Sequence, residues 1–149
     1  MSQTQNALSW ANCKIELSPD AATWTDVSGF SNSVKVDGGE RAVSEFFTLD
    51  GDTPILTQGK RSALEVAIKA VYTEEGSDPF ALALTAYEAG SPLYARWSPK
   101  GGATGNFLYT TSKGVCTKPV YPQGAADSAD ALPAEVTIKV ASIAKSVAA

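Results

Sequence analysis

The sequence contains no histidine, and its only cysteines are Cys13 and Cys116. Without histidine, Ser–His–Asp and Cys–His nucleophilic arrangements are excluded, and so are most zinc sites. The two cysteines stand about a hundred positions apart, which is neither a metal-ligand spacing nor a disulfide framework. They read as small, partly buried hydrophobes kept reduced. Charge is sparse too. Twelve basic against sixteen acidic residues give a net charge of −4, and no basic run stands out. The electrostatic footprint of a protein that reads DNA sequence is therefore missing, whereas contact that does not depend on attraction stays open. No segment approaches the roughly 20 apolar residues that cross a bilayer. The opening MSQTQNALSW has neither the basic region nor the apolar core of a secretory signal. The expectation is a protein made and kept in a cytoplasm, with no membrane insertion of its own. Neither a linker nor a repeat divides residues 1–149, which read as a single domain.

What the chain does have is alternation with period two. In SALEVAIKAVY, residues 62–72, Leu64, Val66, Ile68, Ala70 and Tyr72 fall on one face and Glu65, Ala67 and Lys69 on the other. That is the pattern of a half-buried strand. AEVTIKVA at 134–141 repeats it, setting Val136, Ile138 and Val140 against Glu135, Thr137 and Lys139. Shorter strands are expected at 13–17, 23–27, 33–36, 42–49, 93–97, 106–111 and 115–121, with Pro119 making the last an edge or bulged strand. One helix interrupts them at 77–90, with Asp78 as N-cap, Pro79 at the first helical position and Gly90 just past the end. Phe80, Leu84 and Tyr87 are its expected buried face, with Ala83 beside them. Strands joined mostly by short turns, with no βαβ alternation, predict a mainly β protein. Its class is an antiparallel β-sandwich with one flanking α-helix.

Motifs that suggest chemistry dissolve on inspection. PKGGATGN at 99–106 has the glycines and lysine of a phosphate loop, but the strand-like NFLYTT follows where a helix N-terminus is needed. Gly59–Lys60 has Pro54 in place of the motif's first glycine. Ser142 and Lys145 keep a serine–lysine spacing but fall in the last residues, read as a flexible terminus. Asp50–Gly51–Asp52 lacks the remaining ligands of a calcium loop and reads as a tight acidic turn. No pair of carboxylates is singled out for hydrolysis. The reading is a protein without catalytic residues, metal or cofactor. Trp24, Trp97, Tyr94, Tyr109 and Tyr121 offer an alternative, an aromatic platform on a carbohydrate- or receptor-binding β-sandwich module. Core packing accounts equally well for these rings, and better for Trp97.

Four phrases in order add a resemblance: IELSPDAATWTDVSGF at 15–30, FFTLDGDTPILTQGKRS at 46–62, VYTEEGSDPFALALTAYEAG at 71–90 and RWSPKGGATGNFLYTTSKG at 96–114. Together they resemble the major tail tube proteins of long-tailed bacteriophages. The resemblance implies a structural subunit that assembles into stacked six-fold rings. These form a conduit for genome DNA in the virion tail, built in the host cytoplasm. It implies as partners copies of the chain itself, tail tip, terminator and length-setting proteins, and DNA passing without sequence-specific binding. A contractile or secretion apparatus would fit the same features.

Residues 37–61 are the best candidate for an assembly arm. They carry Phe46, Phe47, Leu49, Ile55 and Leu56 between polar turns, more apolar surface than a solvated loop needs. An ordinary hairpin folded on its own sandwich is the competing expectation. Glu65, Lys69, Glu135 and Lys139 are candidate lumen-facing residues, or else an ordinary solvated face. Lys100, Gly101, Gly102 and Thr104, together with the termini, are candidate inter-ring contacts.

Overall fold

A computed structural model describes all 149 residues. A short 3-10 turn at Trp10–Asn12 precedes β1 (Lys14–Ser18), β2 (Thr25–Asp26), β3 (Ser31–Gly38), β4 (Arg41–Phe46), β5 (Ile55–Arg61) and β6 (Leu64–Val71). The helix α1 (Pro79–Ala89) follows, then β7 (Pro92–Ser98), β8 (Phe107–Thr111), β9 (Gly114–Val120), β10 (Pro133–Val140) and β11 (Ile143–Val147). Every strand pairing is antiparallel. One layer runs β2–β1–β7–β8–β11 and the other β3–β6–β10–β9, and β7 belongs to both because its first residues pair with β9.

The inward residues of the alternating strands build the core. Val66 and Ile68 of β6 face Ile138 and Val136 of β10, and all four are fully buried. Ile15, Leu17, Leu93, Ala95 and Trp97 supply the opposite layer. Each such aliphatic side chain contributes about 2 kcal/mol by leaving water. The layers join at Gly114, which pairs with Leu93 on one side and Val140 on the other. A Cβ there would lie 2.5 Å from the Leu93 carbonyl oxygen and closer still to the Ile138 Cγ2. Pro119 sits on β9 as expected of an edge or bulged strand. The register with β10 shifts between Thr137 and Ile138, and β7 reaches only Gly114 and Val115.

The helix starts and stops where its caps dictate. The Asp78 carboxylate, itself buried, accepts hydrogen bonds from the Phe80 amide at 2.7 Å and from the Thr73 hydroxyl at 2.8 Å. Gly90 ends it in the left-handed conformation at φ 67°. The buried face differs from the expected one. Phe80, Ala83 and Ala86 turn inward and Tyr87 is exposed. Alanines let the helix approach β9 and β10 closely, and an almost uniformly apolar helix carries little information about its inner side.

On the outer face of the first layer, Arg96 grips Glu16, donating from Nη2 to both carboxylate oxygens at 2.9 Å and 3.0 Å and from Nε to Oε1 at 3.2 Å. The same guanidinium lies 4.3 Å from the centre of the Trp24 ring. Glu16 is buried, so truncation of Arg96 leaves a desolvated carboxylate with only the partly exposed Lys14 ammonium, at 3.9 Å, to offset it. The expected result for Arg96→Ala is a loss of about 3 kcal/mol in urea unfolding. Arg96→Lys should recover only part, because an ammonium cannot reproduce the planar fork.

Candidate functional site

Strands β4 and β5 pair only with each other, as a two-stranded sheet apart from the sandwich. Every residue of both strands is exposed. The hairpin leaves the body between β3 and β6, whose last pair is Gly38 with Leu64. Its base is tied by three hydrogen bonds: Gly39 amide to the Ala63 carbonyl, Gly39 amide to the Ser62 hydroxyl, and Ser62 amide to the Glu40 carbonyl. Gly38 and Gly39 both have positive φ, 85° and 77°, so the chain turns off the sheet there in a conformation that side chains resist. Five apolar residues that sequence reasoning placed in an arm, Phe46, Phe47, Leu49, Ile55 and Leu56, all lie on this hairpin and are exposed, as is Val43. Leu49 at the tip touches almost nothing.

Three strand margins of the sandwich are unfinished. β3 pairs only with β6, and β11 only with β8. Beyond Val115, β9 has no strand on the side away from β10. Such rows of unpaired amides and carbonyls are templates for another chain. Between the β3 and β9 margins the outward face carries Glu65, Lys69, Glu135 and Lys139. The register sets Glu135 across from Lys69 and Lys139 across from Glu65. Opposite charges thus pair between β6 and β10, whereas on β3 Asp37 stands across from Glu65 with Lys35 beside it, and Lys118 adds a cation on β9.

Neither a protein-family model nor a curated protein sequence matches the chain. Solved structures do match over nearly its whole length. A chain of the PVC sheath–tube complex, an extracellular contractile injection system in the extended state, is 13% identical, covers 96% of this chain and 93% of its own, and superposes with a TM-score of 0.67. A chain from the tail of an empty GTA particle with C6 symmetry is 12% identical, covers 96% and 100%, and reaches 0.68. The SPP1 tail tube is 15% identical, covers 95% and 80%, and reaches 0.69. This is a tail-tube fold.

Within the tail-tube fold the remaining expected site residues separate. The glycine-rich loop carrying Lys100, Gly101, Gly102 and Thr104 is fastened to the C-terminal segment. The Thr104 hydroxyl donates to the Ala149 carbonyl at 3.2 Å, and the Gly105 amide to the Ala148 carbonyl at 3.0 Å. The preceding residues 143–147, expected to be flexible, form β11, paired along β8. The aromatic platform does not assemble. Trp97 and Tyr109 stack on each other at 6.2 Å, Tyr121 packs edge-on against Phe80, and Trp24 lies under Arg96. Cys13 and Cys116 are free thiols, both pushed up by burial and so poor nucleophiles. No group of three metal-ligating side chains converges, and no helix is long and apolar enough to cross a membrane. The Glu16–Arg96 pair escaped sequence reasoning because its partners lie 80 positions apart.

Proposed function

We propose that the protein is a tail-tube subunit. Copies join into six-fold rings, the rings stack into a hollow tube, and genome DNA passes along the bore during delivery. A chain with the tail-tube fold, unfinished sheet margins and a fully exposed apolar hairpin carries this reading. Edge-to-edge joining of the β3–β6–β10–β9 sheets satisfies the unpaired backbone groups without special side chains. The contact is heterologous, one margin meeting a different one, and it generates a ring because the rotation between neighbours closes. The face bearing Glu65, Lys69, Glu135 and Lys139 then lines the bore. Its lysines stand among carboxylates and so offer a passing duplex no run of cations to hold phosphates. The protein acts as a structural part of a virion or particle tail, with no reaction of its own, and terminator or tip components bind the ends of its tube.

Negative-stain microscopy of the concentrated protein, with sedimentation across a concentration series, is the test. Hollow tubes or stacked rings are expected. A protein that stays monomeric at every concentration, including with other tail components present, overturns the reading.

A further inference from the structure

Aspartate followed by glycine occurs twice in the chain, at 37–38 and at 50–51. Such a pair is open to spontaneous rearrangement, because glycine has no side chain to keep its amide nitrogen from the preceding carboxyl. The structure sets the two pairs apart. Asp37 and Gly38 end β3 in register with Glu65 and Leu64, and the Lys35 ammonium lies 3.7 Å from the Asp37 carboxylate. Asp50 and Gly51 lie beyond Phe46 and Ile55, the last pair of the hairpin, where no ladder holds them. Both are exposed. The Gly51 amide donates no hydrogen bond within the chain, and nothing lies within 4 Å of its Cβ position. The Thr48 hydroxyl donates to the Asp50 carbonyl oxygen at 2.8 Å, drawing electron density from the Gly51 nitrogen.

We propose that Asp50–Gly51 is a self-modification site, at which the peptide bond migrates from the main chain to the side chain. The Gly51 nitrogen attacks the Asp50 Cγ while the carboxyl is protonated. The N–Cγ bond forms, the Cγ–OH bond breaks, and the hydroxyl leaves with the amide proton as water. Water then opens the cyclic imide at the Asp50 main-chain carbonyl, and Gly51 stays attached through Cγ. One water leaves and one returns, so no other reactant is needed. The main chain now passes through the Asp50 side chain, one methylene longer, with the carboxylate on Cα.

Asp37 is spared by its strand. Ring closure needs the Gly38 nitrogen to swing toward the Asp37 side chain, whereas extended backbone aims it along the strand. Asp52 is spared by Thr53, whose branched Cβ crowds the attacking nitrogen. Resting on the tube reading, the reshaped turn beside Leu49 makes this loop an ageing mark. Subunits lose the ability to polymerise as they wait unassembled.

Tryptic mapping separates the sites, because cleavage after Lys35, Arg41 and Lys60 puts them in peptides 36–41 and 42–60. After weeks of warm storage of the folded protein, electron-transfer fragmentation should find the β-linked form in 42–60, at Asp50. In 36–41 it should be about tenfold rarer, since Asp37 reacts only when the ladder opens. Storage in urea should bring the two sites to similar yields, and Asp50→Glu should remove the product from 42–60. Tubes formed by stored wild type, counted against fresh wild type, should fall in step with the β-linked fraction. Stored Asp50→Glu should match its own fresh sample. Equal yields at both sites in the folded protein, or no product at Asp50, overturns the site. A gap that persists in urea overturns the protection of Asp37 by the fold. Product without loss of tubes overturns the ageing role. If fresh wild type forms no tubes, the tube reading fails instead, while the mapping still decides the chemistry.

Discussion

Replacing residues 41–61 by a short glycine–serine turn leaves a folded protein that no longer polymerises into tubes. The fold survives because β4 and β5 bury nothing in the sandwich and pair only with each other. The hydrogen bonds between Gly39, Glu40, Ser62 and Ala63 already close the ribbon at its root, leaving a turn an easy place to cross. The melting temperature is expected to stay within about 4 °C of wild type, equivalent to no more than about 1 kcal/mol. Polymerisation fails because the exposed Val43, Phe46, Phe47, Leu49, Ile55 and Leu56 have gone with the hairpin. Calorimetry and microscopy of the same sample give both halves of the result. Tubes from the shortened chain sink the assembly role of the arm, and loss of the melt sinks its independence from the core.

The second large effect is Gly114→Ala, which costs about 3 kcal/mol, or roughly 10 °C in melting temperature. No unusual backbone angle is involved. The added methyl group meets the Leu93 carbonyl oxygen at 2.5 Å and presses on Ile138 and Val140. All three belong to strands that are pinned on both sides, so none can retreat without opening the junction between the layers. Gly29→Ala is the control, with nothing within 4 Å of the new atom. Equal melting temperatures for the two variants contradict the account.

What could be read from the residues follows from burial. SALEVAIKAVY and AEVTIKVA announced β6 and β10 because one face of each strand is in the core. The helix announced itself through Asp78, Pro79 and Gly90, local signals that need no tertiary context. β11 went unseen for the opposite reason. IAKSV buries almost nothing and exists because β8 offers it a backbone ladder. ILTQGKR likewise has no inner face, and it drew attention only through surplus apolar residues between turns. Trp24 was ambiguous until register brought Arg96 over its ring.

The Gly38–Gly39 pivot has a mechanical consequence. Where arms couple successive discs, any tilt of one disc against the next is transmitted through two glycines and three hydrogen bonds. Curvature of the filament is then concentrated at its joints, like that of a jointed hose. A side chain at Gly38 would press on the Ala63 backbone and one at Gly39 on Leu64, so neither joint tolerates a bulkier residue.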